Sequence, residues 1–173
     1  MAVFDTLVPQ QFDHRAIVLS DGVTALLPAD APPARAWLAA RGYERIVFDF
    51  SGGISPFVEA LSRRIDWPRR FGYALDGASR VVPALQEGLA FLDVPDAGGL
   101  VLDLQGFERA WAEDAAWSRA FLAGLSQLSR RHCACGRRLF AIVDVASEAS
   151  AVSGDPEIAR LDRLGPRDVA GQA

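Results

Sequence analysis

Residues 66–85 read DWPRRFGYALDGASRVVPAL, and the rest of the chain can be organised around them. Pro68 and Gly72 bound a tight turn, because proline presets its own φ and glycine supplies the left-handed conformation that closes it. Beyond the turn the apolar period becomes helical. Leu75, Ala78, Val82, Leu85 and Leu89 recur at three- and four-residue steps, which predicts a helix from Tyr73 or Ala74 to about Gly88 with these side chains inward. Pro83 falls inside that span and predicts a kink or a break.

Three apolar runs flank this segment. Strands are expected at residues 45–50 (Ile46 to Phe50), 100–104 (Leu100 to Leu104) and 139–145 (Leu139 to Val145). Each is β-rich and carries one Asp near its end: Asp49, Asp103 and Asp144. Acids at the carboxyl edge of a sheet can mark a ligand site, but no phosphate loop accompanies them, and capping of the next helix or a loop position is the simpler reading. Between the runs, Ser55-Pro56 opens a helix with Phe57, Ala60, Leu61 and Ile65 on one face. The longest helix begins near Asp114, with Trp117, Phe121, Leu125 and Leu128 as its apolar stripe. Helical connections between parallel strands imply right-handed crossovers and a small sheet covered by helices, an α/β fold.

Residues 1–43 form an N-terminal extension. Arg15–Leu19 and Val23–Leu27 around Ser20-Asp21-Gly22 read as a β-hairpin. Asp30 with Pro32-Pro33 then opens a short helix through Trp37 and Leu38 that ends at Gly42. This module either extends the sheet or docks separately. Residues 147–173 are poor in aromatics and read as a flexible tail.

The chain has 173 residues, half of them hydrophobic, and a net charge of -4, so there is no global basic footprint for nucleic acid. Residues 1–14 have neither a basic n-region nor a signal-length apolar core, and no run approaches the roughly 20 apolar residues of a membrane helix. A cytoplasmic protein with no membrane partner is expected. Cys133 and Cys135 are too close for an unstrained disulfide, and with His132 they fall short of the four ligands zinc needs. They read as a helix end with Gly136 as its left-handed cap, and neither metal nor cofactor is expected. Ser51-Gly52-Gly53 lacks the Lys and glycine spacing of a phosphate loop, no nucleophile elbow occurs, and no enzyme is expected.

The order Pro68, Phe71-Gly72, Leu75-Asp76, Leu85, followed by Leu100–Asp103 and Phe107-Glu108, resembles the barstar family, the small intracellular inhibitors of barnase-type ribonucleases in bacteria. The likeness covers residues 44–146. It implies a three-stranded parallel sheet packed by about four helices. It also implies a protein partner, met by a turn and a second helix that present aromatic and acidic side chains. By this resemblance Phe71, Gly72 and Asp76 match the recognition element, Tyr73 sits beside it, and Glu113 or Asp114 falls near a second acidic contact.

The departures are as informative. Ala74 stands for the family's Asn, Ser79 for its Trp and Arg80 for its second Asp. Residues 63–80 hold five arginines (Arg63, Arg64, Arg69, Arg70, Arg80) against Asp66 and Asp76, a local charge of +3. Like charges facing each other in an interface cost several kcal/mol, so this surface should repel a basic nuclease. Either the arginines only solvate the turn, or the partner has changed to an acidic surface met by Arg69, Arg70 and Arg80 with Trp67 and Phe71 as anchors. The function implied is an inhibitor or immunity protein of a ribonuclease or other toxin. The alternative is a non-inhibitory interaction or regulatory module on the same scaffold.

Overall fold

The computed structural model describes residues 22–147, 150, 152, 159 and 160. Five strands run through it: β1 (Val23–Leu26), β2 (Tyr43–Asp49), β3 (Gly99–Gln105), β4 (Leu139–Asp144) and the two-residue β5 (Ala159–Arg160). They form one sheet in the order β2-β3-β4-β1-β5, with every pairing parallel. The three runs expected as parallel strands are therefore β2, β3 and β4, paired in register from Tyr43↔Gly99 and from Leu100↔Leu139. The central strands β3 and β4 are buried on both faces, which explains their unbroken apolar character, while β2 at the edge alternates.

The sheet is larger than the three strands implied by the resemblance. β1 lies beside β4, with Val23↔Ala141 through Leu26↔Asp144 in register, so the extension adds to the sheet. At Thr24 and Ala25 both flanks of β1, the second arm of the expected hairpin, are taken by parallel neighbours, β4 and β5. Its other arm, Arg15–Leu19, lies outside the described residues, as does most of the tail.

Six helices cover the sheet among the described residues: α1 (Ala31–Ala40), α2 (Ile54–Arg64), α3 (Trp67–Phe71), α4 (Val82–Leu89), α5 (Phe107–Glu113) and α6 (Ala115–Ala134). α1 lies on one face, where Ala31 and Leu38 pack with Leu26, Tyr43, Val101, Phe140 and Ile142. Residues of the other helices form the main core on the opposite face with Ile46, Phe48, Leu100, Leu102, Ala141 and Val143. Rings fill its centre: Phe57 stacks on Phe50 at 4.6 Å between centroids, and Trp117 stacks on Phe121 at 4.9 Å.

Local signals place most helix ends. Asp114 caps α6 by accepting from the Trp117 N–H at 2.9 Å. At the other end Gly136, with φ 80°, closes a two-bond cap in which Gly136 N–H donates to Cys133 and Arg137 N–H to His132. Two expectations fail. Helix α2 starts at Ile54, one residue before the expected Ser55 cap, because the carboxylate of Glu113 accepts from the Ile54 N–H at 3.0 Å. The helix expected from Tyr73 or Ala74 starts at Val82 instead. Pro83 sits in its first turn, where a missing N–H costs nothing, and the residue before a proline is biased away from helix. The Asp76 side chain completes the break by accepting from Ala78 N–H at 3.1 Å and from the Ser79 hydroxyl at 2.8 Å.

Candidate functional site: an arginine and aromatic face

Asp66, with φ 52°, is the one described residue other than glycine in the left-handed region. It turns the chain from α2 directly into α3. That turn drives Trp67 inward, and the ring is fully buried against Phe71 at 4.3 Å. Gly88 of α4 makes room for it, since a Cβ there would collide with the Trp67 ring. Trp67 is thus a core residue, and its expected place as a partner anchor is corrected.

Gly72 ends α3 in the left-handed conformation (φ 76°), with its N–H donating to Pro68 O at 2.9 Å. Space around it is open, so its conformation alone requires glycine. The chain then carries Tyr73 outward, 51% exposed. Phe71 is half-buried beneath it and meets Phe91 edge-on at 5.4 Å. Phe91 is itself 47% exposed, and the Arg70 guanidinium lies over its ring at 5.1 Å. Arg70 is held in place by Nε donating to Ile65 O at 2.7 Å. Arg69 is exposed beside it. Among the described residues neither Arg69 nor Arg70 has a carboxylate partner.

The remaining expected site residues do other work. Arg80 is not a free cation: its Nη2 meets Glu113 Oε1 at 2.6 Å and donates to the Ser55 hydroxyl at 3.1 Å. Its carbonyl accepts from Trp117 Nε1 at 3.0 Å. Glu113 divides its oxygens between Arg80 and the Ile54 N–H, and that N–H, then Arg80, hold its carboxyl below the usual glutamate range. Asp114 is the α6 cap, and Asp76 serves its own turn. The structure therefore brings Arg70, Phe71, Tyr73 and Phe91 together, with Arg69 exposed next to Arg70 in the chain, while Trp67 is buried and Asp76, Arg80, Glu113 and Asp114 make contacts within the fold. Phe91 was missed, although Leu85, Leu89 and Leu92 take the inward phase and leave Phe91 outside.

The strand-end acids also separate. Asp49 accepts from the Ser51 N–H and hydroxyl, which lower its pKa, and stays at the surface. Asp103 is fully buried and takes a two-pronged contact from Arg35 of α1, at 2.8 and 2.9 Å, while Asp144 meets the same guanidinium at 2.7 Å. Arg35 was not foreseen, because its partners lie 68 and 109 residues away. Among the described residues no group of three or more His, Cys, Asp or Glu is placed to hold a metal ion, and both cysteines are free thiols. No described helix is long and apolar enough to cross a membrane. Compared with known proteins, the chain matches no family model, no curated protein and no solved structure.

Proposed function

We propose that this chain is a protein-binding domain whose docking face is formed by Arg69, Arg70, Phe71, Tyr73 and Phe91, and that it carries out no catalysis. The observation that carries this reading is the exposure of Tyr73 and Phe91, the latter beneath Arg70, beside two arginines that have no carboxylate partner among the described residues. Aromatic and arginine side chains are the residue types that dominate binding energy at protein interfaces. A partner suited to this face presents carboxylates to Arg69 and Arg70 and an apolar pocket to Tyr73.

Within that reading, the barstar resemblance supports an inhibitor or immunity protein for a toxin with an acid-lined docking surface. The departures at Ala74, Ser79 and Arg80 support a non-inhibitory regulatory module instead. The test is affinity capture from the native host with the unmodified chain and with Arg70→Glu/Tyr73→Ala. A partner retained by the first and lost by the second supports the docking face. Retention by both refutes it. Activity of the captured partner, measured with and without the chain, then separates inhibitor from regulator.

A further inference from the structure

The chain leaves the neighbouring strands β1 and β4 toward opposite faces of the sheet. After β1 it enters α1 on one face, whereas Val145 and Val152, after β4, are buried in the core of the other. Parallel sheets take ligands in the crevice outside the carboxyl ends of two such strands. A cleft of about 310 Å³ opens at this point, with Leu26, Pro28, Pro32, Val145 and Ala146 in its lining. Its charged side chains are Arg35, Asp144 and Glu108.

The hydrogen-bonding capacity of this cleft is lopsided. Val145 N–H donates to Leu26 O at 3.0 Å, and Ala146 N–H donates to Glu108 Oε1 at 3.0 Å. At the start of α1, Asp30 and Ala31 both donate to Leu27 O, and the next two residues are prolines with no N–H. The helix end therefore has nothing to offer an anion. Arg35 commits Nε and Nη2 to Asp103 and Asp144, and the carboxylates of Asp144 and Glu108 line the same cleft, so an anion there would enter beside two negative charges. What stays open is acceptor capacity: the second oxygen of Glu108 and the part-exposed carboxylate of Asp144. Among the described residues Arg35 and Arg45 balance Asp103 and Asp144, which leaves Glu108 without an ion pair.

We propose that this cleft binds an organic cation, an alkylammonium or alkylguanidinium group. Asp144 and Glu108 accept from the head, and Leu26, Pro28, Pro32 and Val145 cover the stem. The head can come from a free small amine or from a lysine or arginine side chain of another protein.

The test is an amide NMR titration of the full chain with ethylguanidinium, n-butylammonium and N-acetylarginine amide, with acetate and inorganic phosphate as anionic controls. The expected result is saturable shifts centred on Ala31, Gly106 and Ala146 with the cations and none there with the anions. Glu108→Gln keeps an oxygen for the Ala146 N–H and removes the charge, so it should weaken cation binding by about tenfold or more. Tighter binding of blocked arginine than of ethylguanidinium assigns the cleft to a protein side chain, and the reverse order to a free cation. No cation shift at tens of millimolar, equal shifts with acetate or phosphate, or unchanged affinity in folded Glu108→Gln would each overturn the proposal.

Discussion

Arg80 Nη2 and Glu113 Oε1 meet at 2.6 Å, and the other oxygen of the same carboxylate caps α2 at Ile54. One carboxylate thus ties the 72–81 loop, the end of α5 and the start of α2 together. The cation that replaces an acid in the resembled family is consumed inside the molecule. Arg80→Asp should therefore give no barnase inhibition, and by opposing Glu113 it should lower stability by about 1–2 kcal/mol. Titration of barnase activity and urea unfolding check the two halves. Tight inhibition by either the unmodified chain or the variant would show that the loop retains the inhibitory geometry.

Acid should act on the same contact. The folded pKa of Glu113 is held below the ordinary glutamate value, chiefly by the Ile54 N–H and then by Arg80. Its stabilisation is thus complete above the unfolded value and fades as pH falls below it toward the folded value. Urea midpoints measured downward from about pH 6 to about pH 3 should fall less steeply for Glu113→Gln than for the unmodified chain. Parallel curves would mean that the contact does not form in solution.

Trp67 and Tyr73 should behave oppositely although six positions apart in one segment. Trp67→Ala empties a fully buried site and should cost about 3–5 kcal/mol of stability. Tyr73→Ala should leave stability within about 0.5 kcal/mol, and it should weaken partner binding by about 2 kcal/mol, or roughly 30-fold. Equilibrium unfolding and a binding isotherm on the captured partner separate the two effects.

The two arginines at Asp103 should also differ. Arg35→Ala leaves the fully buried Asp103 with only the longer contacts of Arg45 and Gln105 and should cost about 3–5 kcal/mol. Arg45, 45% exposed and 3.4 Å from the same carboxylate, should cost under about 1 kcal/mol when replaced by Ala. Denaturant midpoints at constant slope decide it.

Gly88 gives a test of packing alone. A methyl group there meets the Trp67 ring, so Gly88→Ala should destabilise by about 1–3 kcal/mol even though alanine favours helix. Restored stability in the Gly88→Ala/Trp67→Phe double variant would show that the collision is the cause.

Much of the architecture was legible in short windows of sequence. The apolar runs of β3 and β4, the Asp114 cap, the Gly136 terminus and the Phe121 stripe each depend on residues a few positions apart, so local chemistry specifies them. Pro83 likewise announced a break, though not that the helix would start there. The arginine and aromatic face was half legible: Arg69, Arg70, Phe71 and Tyr73 are adjacent in the chain, whereas Phe91 joins them only through the packing of α4.

What the tertiary structure decided is which of these groups are free. Glu113 lies 59 residues from Ile54, and Arg35 lies 68 from Asp103 and 109 from Asp144. No local pattern distinguishes a buried, paired charge from a solvated one, because the partner is brought up by strand order and helix placement. The same holds for Trp67, whose burial depends on the left-handed Asp66 and the missing side chain of Gly88. Sequence determined which segments become strands and helices through propensity and period, which act over one or two turns. Burial and pairing, and with them the choice between scaffold and surface, arise only when segments distant in the chain pack together.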